Sequence, residues 1–500
     1  MLKLIIKQSS WGVLGHAISV IIGFFITRYV FLEVGEAKWG QYKTAHDFAV
    51  LSNTFLSIGI PSLILRFLPN MIDVDKTEAK YLISKILRYS IVVSVLFILF
   101  MIFFSQFLDH FVWNQYDNFY ILLFFVSIHA PISIFMGIII SLFRSVLKIK
   151  EILLYGTFIS VPLRAILTFI VFSYYDDILY FVYIEIFTQI VVITCLFYLF
   201  NKNEFKIFNF SFQNDSQIQP DIYNYGKSIY LKDIITFLST TSLPILMSFF
   251  LPAEYRGIYA VLLTITAIIV FLNRPLRQIF APAISKLFEK KEFVQLDSLY
   301  KTTTFLVNFL TIPMSLILLS FSDEFLGFFS RGGEFDILYY KPYLFILIFS
   351  RMLSLVFGQT GTFMIMAGLE KKELYIQVFK SIFILLSACI FIPIYKLDAV
   401  VTIFISLMLF ENIFQLFYLR RSINISPFSK DLIRLILITF IFILIISSRY
   451  FQKIDFTYYY FSVISNYRIY YLYFIIPFLI YFLYSILFIN KLRSIYNEIK

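Results

Sequence analysis

Apolar runs of about 20 residues recur from one end of this 500-residue chain to the other, each about long enough to cross a hydrocarbon core of roughly 30 Å as a helix. Lipid offers no partner to a backbone N–H or C=O, so such runs fold as helices that satisfy their own hydrogen bonds. Hydropathy gives about 14 spans, near residues 10–32, 45–67, 90–109, 119–143, 152–174, 179–200, 229–251, 257–281, 303–322, 342–367, 375–395, 398–419, 432–449 and 468–490. The expected fold class is an all-α integral membrane protein. With 60% of residues hydrophobic and 15% charged, no stretch remains for a large soluble domain.

Basic residues mark the sidedness. One set of connections carries Lys76, Lys80, Lys85, Arg88, Arg144, Lys148, Lys150, Lys202, Lys206, Lys286, Lys290, Lys291, Lys371, Lys372, Arg420, Arg421 and Lys430; the opposite set offers chiefly Lys38, Lys43, Arg256, Arg331, Lys341, Lys396 and Lys453. By the positive-inside rule the richer set and both termini face the cytoplasm, as an even span count requires. The net charge of +11 is then a topology signal with anionic lipid headgroups as its partners, and nucleic acid is not implied. Lys3 and Lys7 precede a run too long for a secretory h-region, so the N-terminus reads as the first span. Cys195 and Cys389 lie in separate runs, and the four histidines lack metal-ligand spacing, so no metal and no cofactor are expected. A Walker-type phosphate loop and a nucleophile elbow are both missing from the sequence.

An internal repeat organises the chain. LEVGEAKWGQY (32–42) links spans one and two, LPAEYRGIY (251–259) links spans seven and eight, and each ends in Gly-x-Tyr. The helix that follows holds a proline and then an arginine: Pro61 with Arg66, and Pro275 with Arg277. Six intervening spans give both copies one orientation, a parallel repeat about the membrane normal. The expected organisation is an N-terminal lobe (1–200), a cytoplasmic linker (201–226), a C-terminal lobe (227–419) and two appended spans (420–500), with two pseudo-symmetric six-helix lobes around a central cavity. Gly59, Pro61 and Pro275 are the expected hinges, since proline removes an N–H and clashes with the preceding turn.

A charge inside a span costs roughly 2.5–3.5 kcal/mol on insertion scales, so the deep ones mark a cavity or a partner. Arg164, in ISVPLRAIL (159–167), and Arg351, ahead of Gly358 and Gly361, are the deepest cations. Arg28, Arg66, Arg274 and Arg277 lie nearer span ends, where a snorkelling arginine is the competing reading. Asp47, Glu185, Asp233 beside Lys232, and Glu411 in LFENIFQ (409–415) are candidate sites for a coupling cation or proton. Glu411 reads equally as a salt-bridge partner of a base such as Lys380, and His16 and His129 are candidate proton relays. Glu33 and Glu36 have the E-x-x-E spacing of polytopic glycosyltransferases, whose substantial outer domain this chain lacks.

GEAKWGQYKT (35–44), SIGIPSLILRFLP (57–69), APAISKLFEKKEFVQLDSLY (281–300), LGFFSRGGEF (326–335) and MIMAGLEKKELY (364–375) together resemble the Wzx-type polysaccharide flippases of the multidrug/oligosaccharidyl-lipid/polysaccharide (MOP) exporter superfamily. The resemblance runs over nearly the whole chain. It implies alternating access in the bacterial cytoplasmic membrane, with an undecaprenyl-pyrophosphate-linked O-antigen or capsule repeat unit as cargo and the polysaccharide polymerase and chain-length proteins as partners. On that reading the protein is a transporter rather than an enzyme. Arginine suits a diphosphate through bidentate contacts, so Arg28, Arg66, Arg164, Arg274, Arg277 and Arg351 are the expected cargo contacts. A lipid II flippase and a cation-coupled multidrug exporter are the alternatives within the superfamily; a membrane glycosyltransferase or polymerase is the alternative outside it.

Overall fold

The computed structural model describes residues 2–74, 76–114, 116, 118–146, 148–204, 220–271, 273–330, 337–440 and 443. In chain order the helices are α1 (Leu2–Ser57), α2 (Ile60–Val74), α3 (Lys76–Phe111), α4 (Phe119–Ser127), α5 (His129–Ser145), α6 (Ile149–Leu153), a π-helical turn (Leu154–Ile159), α7 (Ser160–Phe172), α8 (Ile178–Asn203), α9 (Pro220–Phe250), α10 (Ala253–Val270), α11 (Asn273–Glu289), α12 (Phe293–Ser320), α13 (Ser322–Gly327), a 3-10 turn (Ile337–Tyr340), α14 (Lys341–Val356), α15 (Thr360–Met366) and α16 (Glu370–Ile423). Among the described residues ten helical stretches are long and apolar enough to cross a membrane, and the protein is an all-α, multi-pass membrane protein.

Two of the ten are double. Gly15–Ser57 has 43 residues, about 65 Å at 1.5 Å per residue and so twice the hydrocarbon thickness. It is two helices joined at Gly35, whose φ of 83° only glycine adopts freely. The 54-residue α16 is likewise interrupted at Lys396, with φ 51° and ψ −127°. The ten stretches therefore hold twelve crossings, matching the first twelve expected spans. The thirteenth, expected at 432–449, is helical as far as Phe440; its remainder, the fourteenth span, Arg331, Lys453 and most of the 201–226 linker lie outside the described residues.

The structure corrects three local expectations. The link expected at 32–42 is helical apart from Gly35. Lys43 and Arg256, read as connection residues, sit within helices, and Arg256 is buried. Of the two hinge residues expected there, Gly59 rather than Pro61 lies at the bend, where Ile58 and Gly59 have φ of 42° and 66°. Pro61 is then the second residue of α2, where a missing N–H costs nothing. Pro275 is likewise third in its helix, α11, which begins at Asn273.

The chain forms two compact units, Met1–Thr264 with Leu374–Phe404, and Ile265–Glu373 with Ile405–Lys500. In the first, α2, α3, α5 and α8 pack around Ile64, Leu68, Ile83, Leu87, Ile138, Leu142, Phe143, Leu196 and Phe200. The rings of Phe143 and Phe200 meet edge-on at 5.3 Å. The opposite faces carry exposed Phe100, Phe103 and Phe107 on α3 and Phe169 on α7, as a lipid-facing surface demands. Helix α7 buries only Thr168 and Phe172, so Arg164 is a charge on an otherwise peripheral helix.

Candidate functional site

Past Gly35, α1 presents Trp39, Tyr42, Lys43 and His46 at helical spacing along one face, and Gly40, Thr44 and Asp47 along another. A polar stripe of this length inside a span has to be answered by other helices. The first face is answered by Glu185 of α8. Tyr42 donates its hydroxyl to Glu185 Oε2 at 2.5 Å, and Arg164 Nη1 donates to Oε1 at 2.8 Å. His129 Nε2, from the start of α5, stands 3.7 Å from Oε2. The His129 Nδ1 faces Gln189 Oε1 at 3.4 Å. The ring of His46 lies 6.4 Å from that of His129 and 6.0 Å from that of Tyr42. Lys43 Nζ sits 4.5 Å over the Trp39 ring, an attraction that partly replaces lost hydration.

Glu185 is 6% exposed, and a carboxylate so placed holds its charge only when its lone pairs are met by good donors. Arg164 reaches it from α7 just after Pro162. The π-helical turn at Leu154–Ile159 directly precedes this stretch, where the proline takes one N–H out of the helical ladder.

The second face of α1 meets α10. A Cβ on Gly40 would fall 1.7 Å from the Ala253 carbonyl oxygen, and one on Gly257 would fall 2.1 Å from that of Glu36. The glycine of each Gly-x-Tyr copy is thus where the two backbones touch. Seven residues along from Gly40, Arg256 Nη2 donates to Asp47 Oδ2 at 2.5 Å. Nearby, Trp113 Nε1 donates to Ser248 Oγ at 3.1 Å, and the Tyr116 hydroxyl lies 3.4 Å from the carbonyl oxygens of Ser248 and Leu251. Burial pushes the Tyr116 phenol up to about 12, so it remains a donor at ordinary pH.

Of the residues singled out in the sequence, Arg164 and Glu185 come together, and Asp47 pairs with Arg256. Arg28, half-buried, precedes the Gly35 break and Arg66, exposed, follows the Gly59 break, so both sit on helical segments separate from the cluster; the Arg66 guanidinium stacks 5.6 Å over Phe67. Asp233 is half-buried on α9 beside exposed Lys232. In the second unit, Arg277 is exposed on α11 and Arg351 half-buried on α14; the side chains of Arg274 and Pro275 lie outside the described residues. Glu411 accepts from Gln415 Nε2 at 3.3 Å, in a network where Gln415 also donates to buried Glu373 at 2.8 Å and accepts from Thr360 at 2.5 Å. Among the described residues no group of three or more His, Cys, Asp or Glu could hold a metal ion. Sequence reasoning missed Tyr42, Lys43, Arg256 and Gln189; the 39/42/43/46 spacing was the available signal.

Residues 5–288 match the family described as polysaccharide biosynthesis protein. This chain belongs to that family. A search of curated proteins returns no match. Among solved structures, this family member is similar to the lipid II flippase MurJ in an inward closed conformation, with TM-score 0.69 and 16% identity over 96% of this chain and 98% of that one. It is also similar to an inward-facing multidrug resistance MATE family transporter of the MOP superfamily, with TM-score 0.65 and 13% identity over 80% of this chain and 94% of that one. A MOP superfamily transporter from Pyrococcus furiosus, described as having a binding pocket of reverse polarity, gives TM-score 0.61 and 14% identity over 84% and 96%. The fold is that of the MOP superfamily transporters.

Proposed function

We propose that this protein is a flippase that carries undecaprenyl-pyrophosphate-linked oligosaccharide repeat units across the bacterial cytoplasmic membrane by alternating access, for surface polysaccharide synthesis. One observation carries the reading: a polysaccharide-biosynthesis chain shares its fold with a lipid II flippase over 96% of its length, whereas the MATE likenesses cover 80% to 85%. A chain that extends the multidrug-transporter fold in the way a lipid flippase does supports a lipid-linked glycan over a free drug. Both termini then lie in the cytoplasm, and the polymerase and chain-length proteins act on the delivered unit.

The cargo's diphosphate asks for cations in a dry setting, and arginine gives it two parallel donors. Arg66, Arg28, Arg277, Arg274 and Arg351 are the positions offered to it. Arg164 serves differently from the way a lone deep arginine would. Its Nη1 is committed to Glu185, which fixes the guanidinium, and with 28% of its side chain exposed the remaining N–H groups are open to a phosphate.

The test is translocation by the purified protein in liposomes holding a defined undecaprenyl-diphosphate-linked oligosaccharide. Movement of that lipid is expected, with Arg66→Ala reduced by at least about tenfold if it loses a charge-assisted contact. Movement of lipid II alone, or of a cationic drug alone, rejects the reading in favour of one of the other superfamily activities.

A further inference from the structure

The last turn of α16 carries Arg420 and Arg421, both exposed, and half-buried Lys372 joins them from the first turn of the same helix, donating to Ser422 Oγ at 2.8 Å. Neutral groups position all three. Arg420 Nη2 donates to Ser426 Oγ at 3.1 Å, and its guanidinium lies 5.7 Å over the Phe428 ring. Arg421 lies 6.0 Å over Phe417, and Lys372 Nζ 5.4 Å over Tyr418. Lys148 pairs with Glu204 and Lys301 with Asp297, whereas among the described residues no carboxylate pairs with Arg420, Arg421 or Lys372. The carbonyl end of α16 favours cations on its own last turn; it does not account for Lys372, 50 residues before Ser422 in the chain. Beside these charges α16 exposes Phe417, Phe414 and Ile413, with the Phe414 and Phe410 rings 4.3 Å apart.

We propose that Lys372, Arg420 and Arg421 bind the phosphodiester headgroup of an anionic phospholipid, whose acyl chains lie along Phe417, Phe414 and Ile413. A guanidinium that rests on a ring still directs in-plane N–H groups at phosphate oxygens, so Arg421 is ready for a bidentate contact. The ring attraction meanwhile replaces part of the hydration that each cation gives up. The apolar strip decides the occupant. A free phosphate ion or an acidic peptide makes no use of exposed Phe417 and Phe414, whereas a phospholipid meets the cations at headgroup level and the rings at acyl level in one approach. Charge decides the leaflet: α16 begins and ends among the basic connections, which the positive-inside rule puts at the cytoplasmic surface. A headgroup held between Lys372 and Arg421 ties the first turn of α16 to its last and reinforces the bond from Lys372 to Ser422.

Native mass spectrometry of the full-length protein, released from mixed-lipid nanodiscs, measures binding of phosphatidylglycerol against phosphatidylcholine. The wild type is expected to prefer phosphatidylglycerol. The triple change Lys372→Gln, Arg420→Gln and Arg421→Gln is expected to lower that affinity at least about tenfold, since each basic residue at the surface contributes, and to leave phosphatidylcholine binding as it was. Lys76→Gln, Lys85→Gln and Lys290→Gln together remove the same charge from exposed positions elsewhere and should change neither. Equal losses in the two triple variants, or no preference in the wild type, overturn the site. A second measurement needs no variant to fold: wild-type protein is irradiated with phosphatidylglycerol bearing a photoreactive group at the head of an acyl chain, and the label is expected within residues 410–422. Label confined to other helices overturns the site. Excess inorganic phosphate should not displace the lipid; full displacement overturns the lipid site in favour of a simple anion site. Preferential capture of undecaprenyl diphosphate over phosphatidylglycerol at these residues overturns it as well, making the patch a cargo contact.

Discussion

A carboxylate inside a span survives by its neighbours, and Glu185 accepts from two side chains, each on a different helix: Tyr42 and Arg164. Removing one partner of such a buried pair exposes the other to an uncompensated desolvation cost of roughly 3–5 kcal/mol, less where the partner is partly solvated as Arg164 is. Arg164→Met is therefore expected to lower thermal stability in detergent, and the double change Arg164→Met with Glu185→Gln to recover much of the loss; no recovery would mean the two do not act as a pair. Glycine at the α1–α10 contact makes a second residue-scale prediction. Gly257→Ala puts a methyl group against a backbone oxygen that has no flexible end to move, so it should destabilise by about 1–3 kcal/mol, while Gly23→Ala, with nothing within 4 Å of its Cβ, should not. A charge within an apolar run is readable from the sequence, which is why Arg164, Glu185 and Asp47 stand out. Pairing was not, because Tyr42 and Glu185 lie 143 residues apart. Arg256 was misread because Pro252 and Glu254 before it look like a loop, when they are the short link before α10 and its first turn.

At the scale of elements, the informative features are the interruptions. The periodic apolar runs give helix positions directly, but a break depends on φ, and the sequence offers only the residues able to adopt it. The sequence offers both Gly59 and Pro61 as hinges; the chain turns at Ile58 and Gly59, and Pro61 merely starts the next helix. The consequence is a difference in severity between the two substitutions. Gly59→Ala forces an alanine to a φ of 66° with its Cβ 2.8 Å from Ile229 Cγ2, a strain of about 1–3 kcal/mol at the turn itself. It is expected to cut complementation of a polysaccharide-export defect severely, whereas Pro61→Ala leaves most of it. Equal loss in both would return the hinge to the proline.

For the whole molecule, the crossings read from hydropathy agree with the described helices because lipid leaves the backbone no other choice; the packing of helices from distant parts of the chain into one unit has no such signature. Sidedness follows from charge. The connections between α5 and α6, between α11 and α12 and between α15 and α16 are flanked by Lys148 and Lys150, by Lys290 and Lys291, and by Lys371 and Lys372. The alternate connections, between α7 and α8, α9 and α10, and α12 and α13, are flanked by Asp176 and Asp177, Glu254, and Asp323 and Glu324. Basic residues resist translocation while acidic ones contribute little, so the first group is expected on the cytoplasmic side. With Cys195 and Cys389 replaced by serine, a membrane-impermeant maleimide should label Asp176→Cys and Phe321→Cys in intact cells. It should label Lys291→Cys and Lys371→Cys only after permeabilisation. The inverted pattern would put Arg66, between the α1–α2 break and α3, at the outer surface, where the proposed diphosphate cargo could not meet it first from the cytoplasm.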